Sequence, residues 1–209
     1  MRNWGSRHWG KKTRGVSLAF WLGAFFILAF SGKARAEYLV YHTVSVTGSS
    51  SPLAKRIVSD HLGNAYFLTY NADATAWIIK KLTPENNMLT IGGSFGSYVK
   101  ITVDPNLWIW VLDDWSGAIK KVDAQGNVVL SFGNSTSLSM ARAIASDGAK
   151  VWVAHDAPWV CSGMSCGWGG TGKLEVYSAA NGSLLSSVSM PWRFSPQMVY
   201  SNGKLFVNG

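Results

Sequence analysis

From residue 56 to the C-terminus, short apolar runs alternate with polar turns. Four segments repeat one order: RIVSDHLGNAYFLTY (56–70), KITVDPNLWIWVLDD (100–114), AIASDGAKVWVAHD (143–156) and MVYSNGKLFVNG (198–209). Each reads as an apolar strand, a polar turn opening at Asp60, Asp104, Asp147 or Ser201, and an aromatic-rich strand. The openings lie 44, 43 and 54 residues apart, two near-equal spacings and one enlarged. A second pair of runs follows each of the first three, as AWIIKKLTPENNMLTIGG, AIKKVDAQGNVVLSFGN and KLEVYSAANGSLLSSVSM. No stretch beyond residue 36 keeps a helical period over three turns, so strands are expected throughout.

Four antiparallel strands in roughly 40–45 residues is the size of one β-propeller blade. The expected fold is therefore all-β, a propeller of four-stranded antiparallel blades. The blades are expected over about 53–93, 97–133, 140–190 and 195–209, three full ones and half of a fourth. Closed propellers have about four to eight blades, and an open ring leaves strand edges and an apolar face uncovered. The sequence is accordingly read as the N-terminal part of a longer protein. EYLVYHTVSV (37–46) alternates like a strand and is expected to complete the final blade from outside.

The first 36 residues follow another grammar. Arg2, Arg7, Lys11, Lys12 and Arg14 precede an apolar run from Val16 to Phe30, and Ala34-Arg35-Ala36 closes it. This is the pattern of a secretory signal helix cleaved after Ala36, because the apolar run falls short of the ~20 residues that cross a bilayer. The domain proper is then 37–209, exported to the periplasm or beyond the cell, with membrane contact only in transit. Removing the leader changes the charge. Of 19 Lys and Arg and 11 Asp and Glu, seven basic residues and no acidic one lie in 1–36, leaving a net +1. Nucleic acid is thereby excluded as a partner, since phosphate binding needs a concentrated basic face. The pairs Lys80 with Lys81 and Lys120 with Lys121 are expected as solvated strand positions.

The wording of the blades resembles the NHL-repeat family of propellers. ITVDPNLWIWVLDD followed by IKKVDAQG matches its order of residue types nearly throughout, and IVSDHLGNAYFLTY with IIKKLTPENN, and IASDGAKVWVAHD with LEVYSAANG, match in part. The resemblance implies the fold over 56–209. It also brings to mind lyases with a histidine near the central axis and sugar-lactone hydrolases that hold a divalent metal. Neither set of ligands can be assembled from this chain, so no cofactor is expected, although Asp113 and Asp114 are oxygen donors of the type a hard cation takes.

Aligning Tyr66, Trp110 and Trp152 puts Thr69, Asp113 and His155 at equivalent ends of second strands, with Asp114, Trp115 and Asp156 beside them. His155 is the weak candidate for a proton carrier, against a plain role bonding a neighbouring loop. The enlarged spacing comes from APWVCSGMSCGWGGTG (157–172) on the same face, which carries Trp159 and Trp168. Its Cys161 and Cys166 are the only cysteines, expected as a disulfide in an exported chain. Apolar side chains on such a loop suit a protein partner or a small aromatic or carbohydrate ligand, or else fold back over the rim. The sequence reads chiefly as a binding module, with a lyase or metal-dependent hydrolase built on His155 and nearby carboxylates as the alternative.

Overall fold

Alternation fixes which side of each strand is buried, and here it buries both. In the computed structural model, which describes residues 55–208 apart from 72, 74, 97, 98, 114, 115 and 192–195, every regular element among the described residues is a strand. The leader, the strand expected at 37–46, and Asp114 and Trp115 fall outside the described residues. Strands β1 (Lys55–Ser59), β2 (Ala65–Tyr70), β3 (Trp77–Leu82) and β4 (Met88–Phe95) form one antiparallel sheet in sequence order. A second sheet has β5 (Val99–Val103), β6 (Ile109–Asp113), β7 (Ala118–Val122) and β8 (Val128–Phe132) in the same order.

The third sheet joins β9 (Ala141–Ser146), β10 (Lys150–His155), β13 (Gly172–Ser178) and β14 (Leu184–Met190). Its second and third strands are separated in sequence by a hairpin of β11 (Trp159–Ser162) and β12 (Ser165–Trp168), where a glycine-rich loop was expected. A last pair, β15 (Gln197–Ser201) and β16 (Lys204–Asn208), follows. The first strands lie side by side, β1 against β5, β5 against β9 and β9 against β15, so the sheets fan out from a shared line. This is the architecture of a β-propeller, with three four-stranded blades and half of a fourth described.

The core lies between blades rather than inside any of them. All five residues of β6 are buried. Ile109 and Val111 face the first sheet, packing with Leu68, Ile79 and Ile101, while Trp110 and Leu112 face the third, packing with Ile144, Val151 and Val153. Ala143 and Ala154 continue the pattern toward Met198 and Val207 of the last pair. Phe132 bridges the second and third sheets, its ring 6.4 Å from Trp110 and 5.3 Å from Tyr177. Neighbouring blades also meet through backbone. Gly126, at φ +90°, brings its turn so close to β4 that a Cβ there would run into the Ile91 carbonyl oxygen.

The turn aspartates hold the hairpins of one face. Asp104 accepts from the backbone amides of Asn106 and Trp108 at 2.8 and 3.0 Å, and its other oxygen accepts from Trp110 Nε1 at 2.9 Å. Asp60 does the same for Leu62, Asn64 and the Tyr66 hydroxyl. In the third blade the turn is one residue shorter, and Asp147 accepts from Ala149 and Lys150, while Trp152 stacks instead on Tyr200 at 5.5 Å. The lysines differ from their expected solvated placement. Lys120 bonds Asp113, and Lys121 lies 4.5 Å over the Trp108 ring, because long aliphatic stems cover the strands they cross.

Asp104 is buried whereas Asp123 makes the same two backbone bonds, from Gln125 and Asn127, on an exposed turn. Asp104→Ala leaves a buried indole N–H and two amides without an acceptor and is expected to cost about 3 kcal/mol. Asp123→Ala, whose amides reach water, should cost about 1 kcal/mol. Urea unfolding of the two variants measures the difference, and equal losses would refute the role given to Asp104.

Candidate functional site

The starts of the first strands and the ends of the second strands lie on one edge of each sheet, opposite the aspartate turns. On this face a cleft of about 570 Å³ opens among the innermost strands. Arg56 of β1, Lys100 of β5 and Arg142 of β9 line it, one cation from each blade, together with Asp156, Gln197 and Trp168. Their placement follows from the local sequence. Val99 and Ile101 on either side of Lys100 are buried in one cluster between blades, so strand alternation turns Lys100 the other way.

Two of these cations sit at breaks in the ladder. The β1–β2 register shifts between Lys55 and Ile57, at Arg56, which has φ +56°. The β9–β10 register shifts where His155 pairs with Ala141 and Ala154 with Ala143, leaving Arg142 as the extra residue. Such bulges re-aim a side chain out of the pleat. Arg142 Nε reaches Asp156 Oδ2 at 2.7 Å, and the Asp156 amide is held by the Met140 carbonyl at 2.9 Å.

Trp168 arrives from the insertion. Trp159 and Trp168 are directly opposite across the β11–β12 pair, their rings edge to face at 5.0 Å. Cys161 and Cys166 pair two steps further along and are joined as a disulfide. The hairpin stands in solvent with Trp159 54%, Val160 49% and Trp168 36% exposed.

The second-strand ends are enclosed rather than presented. Asp113 is buried, with Oδ2 at 2.9 Å from Lys120 Nζ and Oδ1 accepting from the Ser116 amide. Burial pushes its carboxyl up, but the bonds from Lys120 and Ser116 outweigh this and hold it below the ordinary value of 3.8. His155 is 0% exposed. Its Nδ1 lies 3.1 Å from the Ser139 carbonyl and its Nε2 2.9 Å from Glu175 Oε2. Glu175 also accepts from Lys173 at 2.6 Å and from the Tyr177 hydroxyl at 2.7 Å.

Burial lowers the His155 pKa, with the Lys173 ammonium adding to it against the pull of Ser139 and Glu175. For Glu175, burial acts upward but Lys173 and Tyr177 prevail, and its carboxyl titrates below 4.5. Among the described residues no three His, Cys, Asp or Glu side chains gather as a metal site requires.

Of the residues singled out in the sequence, Asp156 and Trp168 meet at the cleft, Trp159 supports Trp168, and Asp113 and His155 belong to separate interior networks. Arg56, Lys100 and Arg142 were not singled out. Their signal was present as a basic residue four or five positions before each turn aspartate, invisible to a search for contiguous basic runs.

No family model and no curated protein matches the chain by sequence. Solved structures do resemble it. A streptogramin B lyase aligns at 18% identity over 74% of this chain and 47% of its own, with a TM-score of 0.51. A catalytically inactive virginiamycin B lyase from Staphylococcus aureus with quinupristin aligns at 16% identity over 76% and 50%, with a TM-score of 0.53. A calcium-binding regucalcin from Agrobacterium tumefaciens aligns at 12% identity over 74% and 52%, at 0.48. The chain spans about half the length of each. The likeness to the two lyases shows the propeller fold, and at such identities the fold alone.

The depressed values of His155, Asp113 and Glu175 all act in one direction. Each unfolded group takes up a proton that the folded group resists, so stability is present above the unfolded pKa and is lost as pH falls through the folded one. His155 makes its contribution felt first, below its ordinary 6.5, and the carboxylates follow below 4.5 and 3.8. Thermal melting should fall between about pH 7 and 5, and His155→Gln should flatten that interval while leaving the loss at lower pH. An unchanged melting temperature across that interval in the parent protein would rule out the assignment.

Proposed function

We propose that this chain is an exported, NHL-like β-propeller that works as a binding module, taking its ligand on the face that carries the 157–172 insertion. The carrying observation is that Trp168 of the inserted hairpin and the first strands of three blades line one cleft. A scaffold of packed sheets fixes the cleft floor, and an exposed aromatic hairpin at its edge supplies contact area at low entropic cost. Trp159, Val160 and Met164 extend the apolar surface outward, which suits a small aromatic or carbohydrate ligand or a protein partner. Export rests on the sequence of residues 1–36.

Proton transfer by His155 to a bound molecule has less support, because both ring nitrogens face acceptors inside the blade and the ring has no exposed surface. The first reading is tested by saturation-transfer NMR against a panel of aromatic and carbohydrate ligands. Trp168→Ala, and replacement of residues 158–170 by a short Gly-Ser turn, should abolish the signals of bound ligands while leaving the melting temperature within a few degrees. Ligand signals that survive the hairpin replacement would overturn it.

A further inference from the structure

We propose that the Asn202–Gly203 turn is a site of self-modification, where the Asn202 side chain loses ammonia and the residue becomes aspartate or isoaspartate. The site is independent of the ligand-binding reading and lies at the β15–β16 turn, on the face of the aspartate hairpins. Where asparagine precedes glycine, the glycine amide nitrogen can attack the side-chain carbonyl carbon, because no Cβ hinders its approach. The chain has three such pairs, Asn181–Gly182, Asn202–Gly203 and Asn208–Gly209, and Gly209 falls outside the described residues. The other two stand in opposite surroundings.

Asn181 is tied down. Its Oδ1 accepts from the Ser183 amide at 3.1 Å, and the Gly182 amide donates to the Ser178 carbonyl at 2.8 Å. Phe132 closes over that turn, so that a Cβ at Gly182 would run into its ring. Asn202 and Gly203 are both exposed, and a Cβ at Gly203 would meet nothing within 4 Å. Among the described residues the Asn202 side chain has no hydrogen bond and the Gly203 amide has no acceptor. The turn type accounts for this. Ser201 pairs with Lys204, and the two residues between them have φ of +50° and +75°, a type I′ connection that leaves the amide of its second central residue to water.

The fourth turn also lacks the brace of the other three. Asp60, Asp104 and Asp147 each accept from backbone amides two to four residues ahead, and Ser201 stands at the corresponding position. Among the described residues β15 and β16 form a sheet of two strands, a unit that opens locally at low cost. Ring closure uses that looseness, since Asn202 must turn to bring its Cγ to the Gly203 nitrogen.

Hydroxide removes the Gly203 amide proton, the nitrogen bonds to Asn202 Cγ, and the Cγ–Nδ2 bond breaks as Nδ2 takes up a proton and leaves as ammonia. Water then opens the cyclic imide. Cleavage at Cγ gives aspartate, and cleavage at the main-chain carbonyl carbon gives isoaspartate, whose backbone runs on through Cβ and Cγ. Either product places a carboxylate two residues from Tyr200, whose ring stacks on Trp152 of the third blade.

Peptide mapping by mass spectrometry, after incubation of the full-length chain in mildly alkaline buffer, tests the proposal. Asn202 should convert at least about tenfold faster than Asn181, the rate factor of one hydrogen bond that Asn181 must first break. Isoaspartate should be among the products, and the rate should rise with pH, as loss of an amide proton requires. In concentrated urea the two asparagines should react at similar rates, because the fold protects Asn181. Equal rates in the folded protein, conversion of Asn181 ahead of Asn202, or an undiminished preference for Asn202 in urea would each overturn the inference.

Discussion

The fold depends on burial between sheets. A single twisted four-stranded sheet has two faces to cover, and among the described residues no helix covers them. Strand β6 shows how the chain meets this constraint, with Ile109 and Val111 shielded by the sheet before and Trp110 and Leu112 by the sheet after. Removing either neighbour would expose one half of that strand, so the stability of each blade is a property of its interfaces. Exposure rises away from this centre. Val128 and Val129 on β8 and Leu184, Leu185 and Val188 on β14 are all open to solvent on the outermost strands.

The same constraint explains why polar groups are concentrated at strand ends. Where a second strand finishes, the apolar sandwich gives out and the chain must satisfy charges at the rim. Lys120 closes on Asp113 in the second blade, and Lys173, Tyr177 and His155 surround Glu175 in the third. These groups consume Asp113 and His155, which a reading of motifs treats as reactive, while Asp156 with Arg142 forms a charged pair that reaches the cleft.

Much of the architecture was legible because blade formation is encoded locally. Alternating apolar positions, and turn aspartates that bond amides two to four residues ahead, are short-range signals, and Asp60, Asp104 and Asp147 all act as their positions imply. Partners across strands were not legible. That Lys120 would neutralise Asp113, or Glu175 enclose His155, depends on register between strands, which the spacing of hydrophobic residues leaves open. The cleft was harder still. Arg56, Lys100 and Arg142 are far apart in sequence and come together only through the fan of first strands, two of them through irregularities in the ladder. The insertion was recognised by its length and its cysteines, but its regular pairing, Trp159 opposite Trp168, emerged only in the folded chain.

The β11–β12 hairpin leaves the third sheet from β10 and returns to it at β13, and those two strands are paired along their full length from Lys150 with Ser178 to His155 with Lys173. Its foot is therefore fixed by the blade and its tip is closed by the Cys161–Cys166 bond. Val160 and Met164 are open to solvent, so changes there alter the surface of the hairpin without touching the pairing of the blade that carries it.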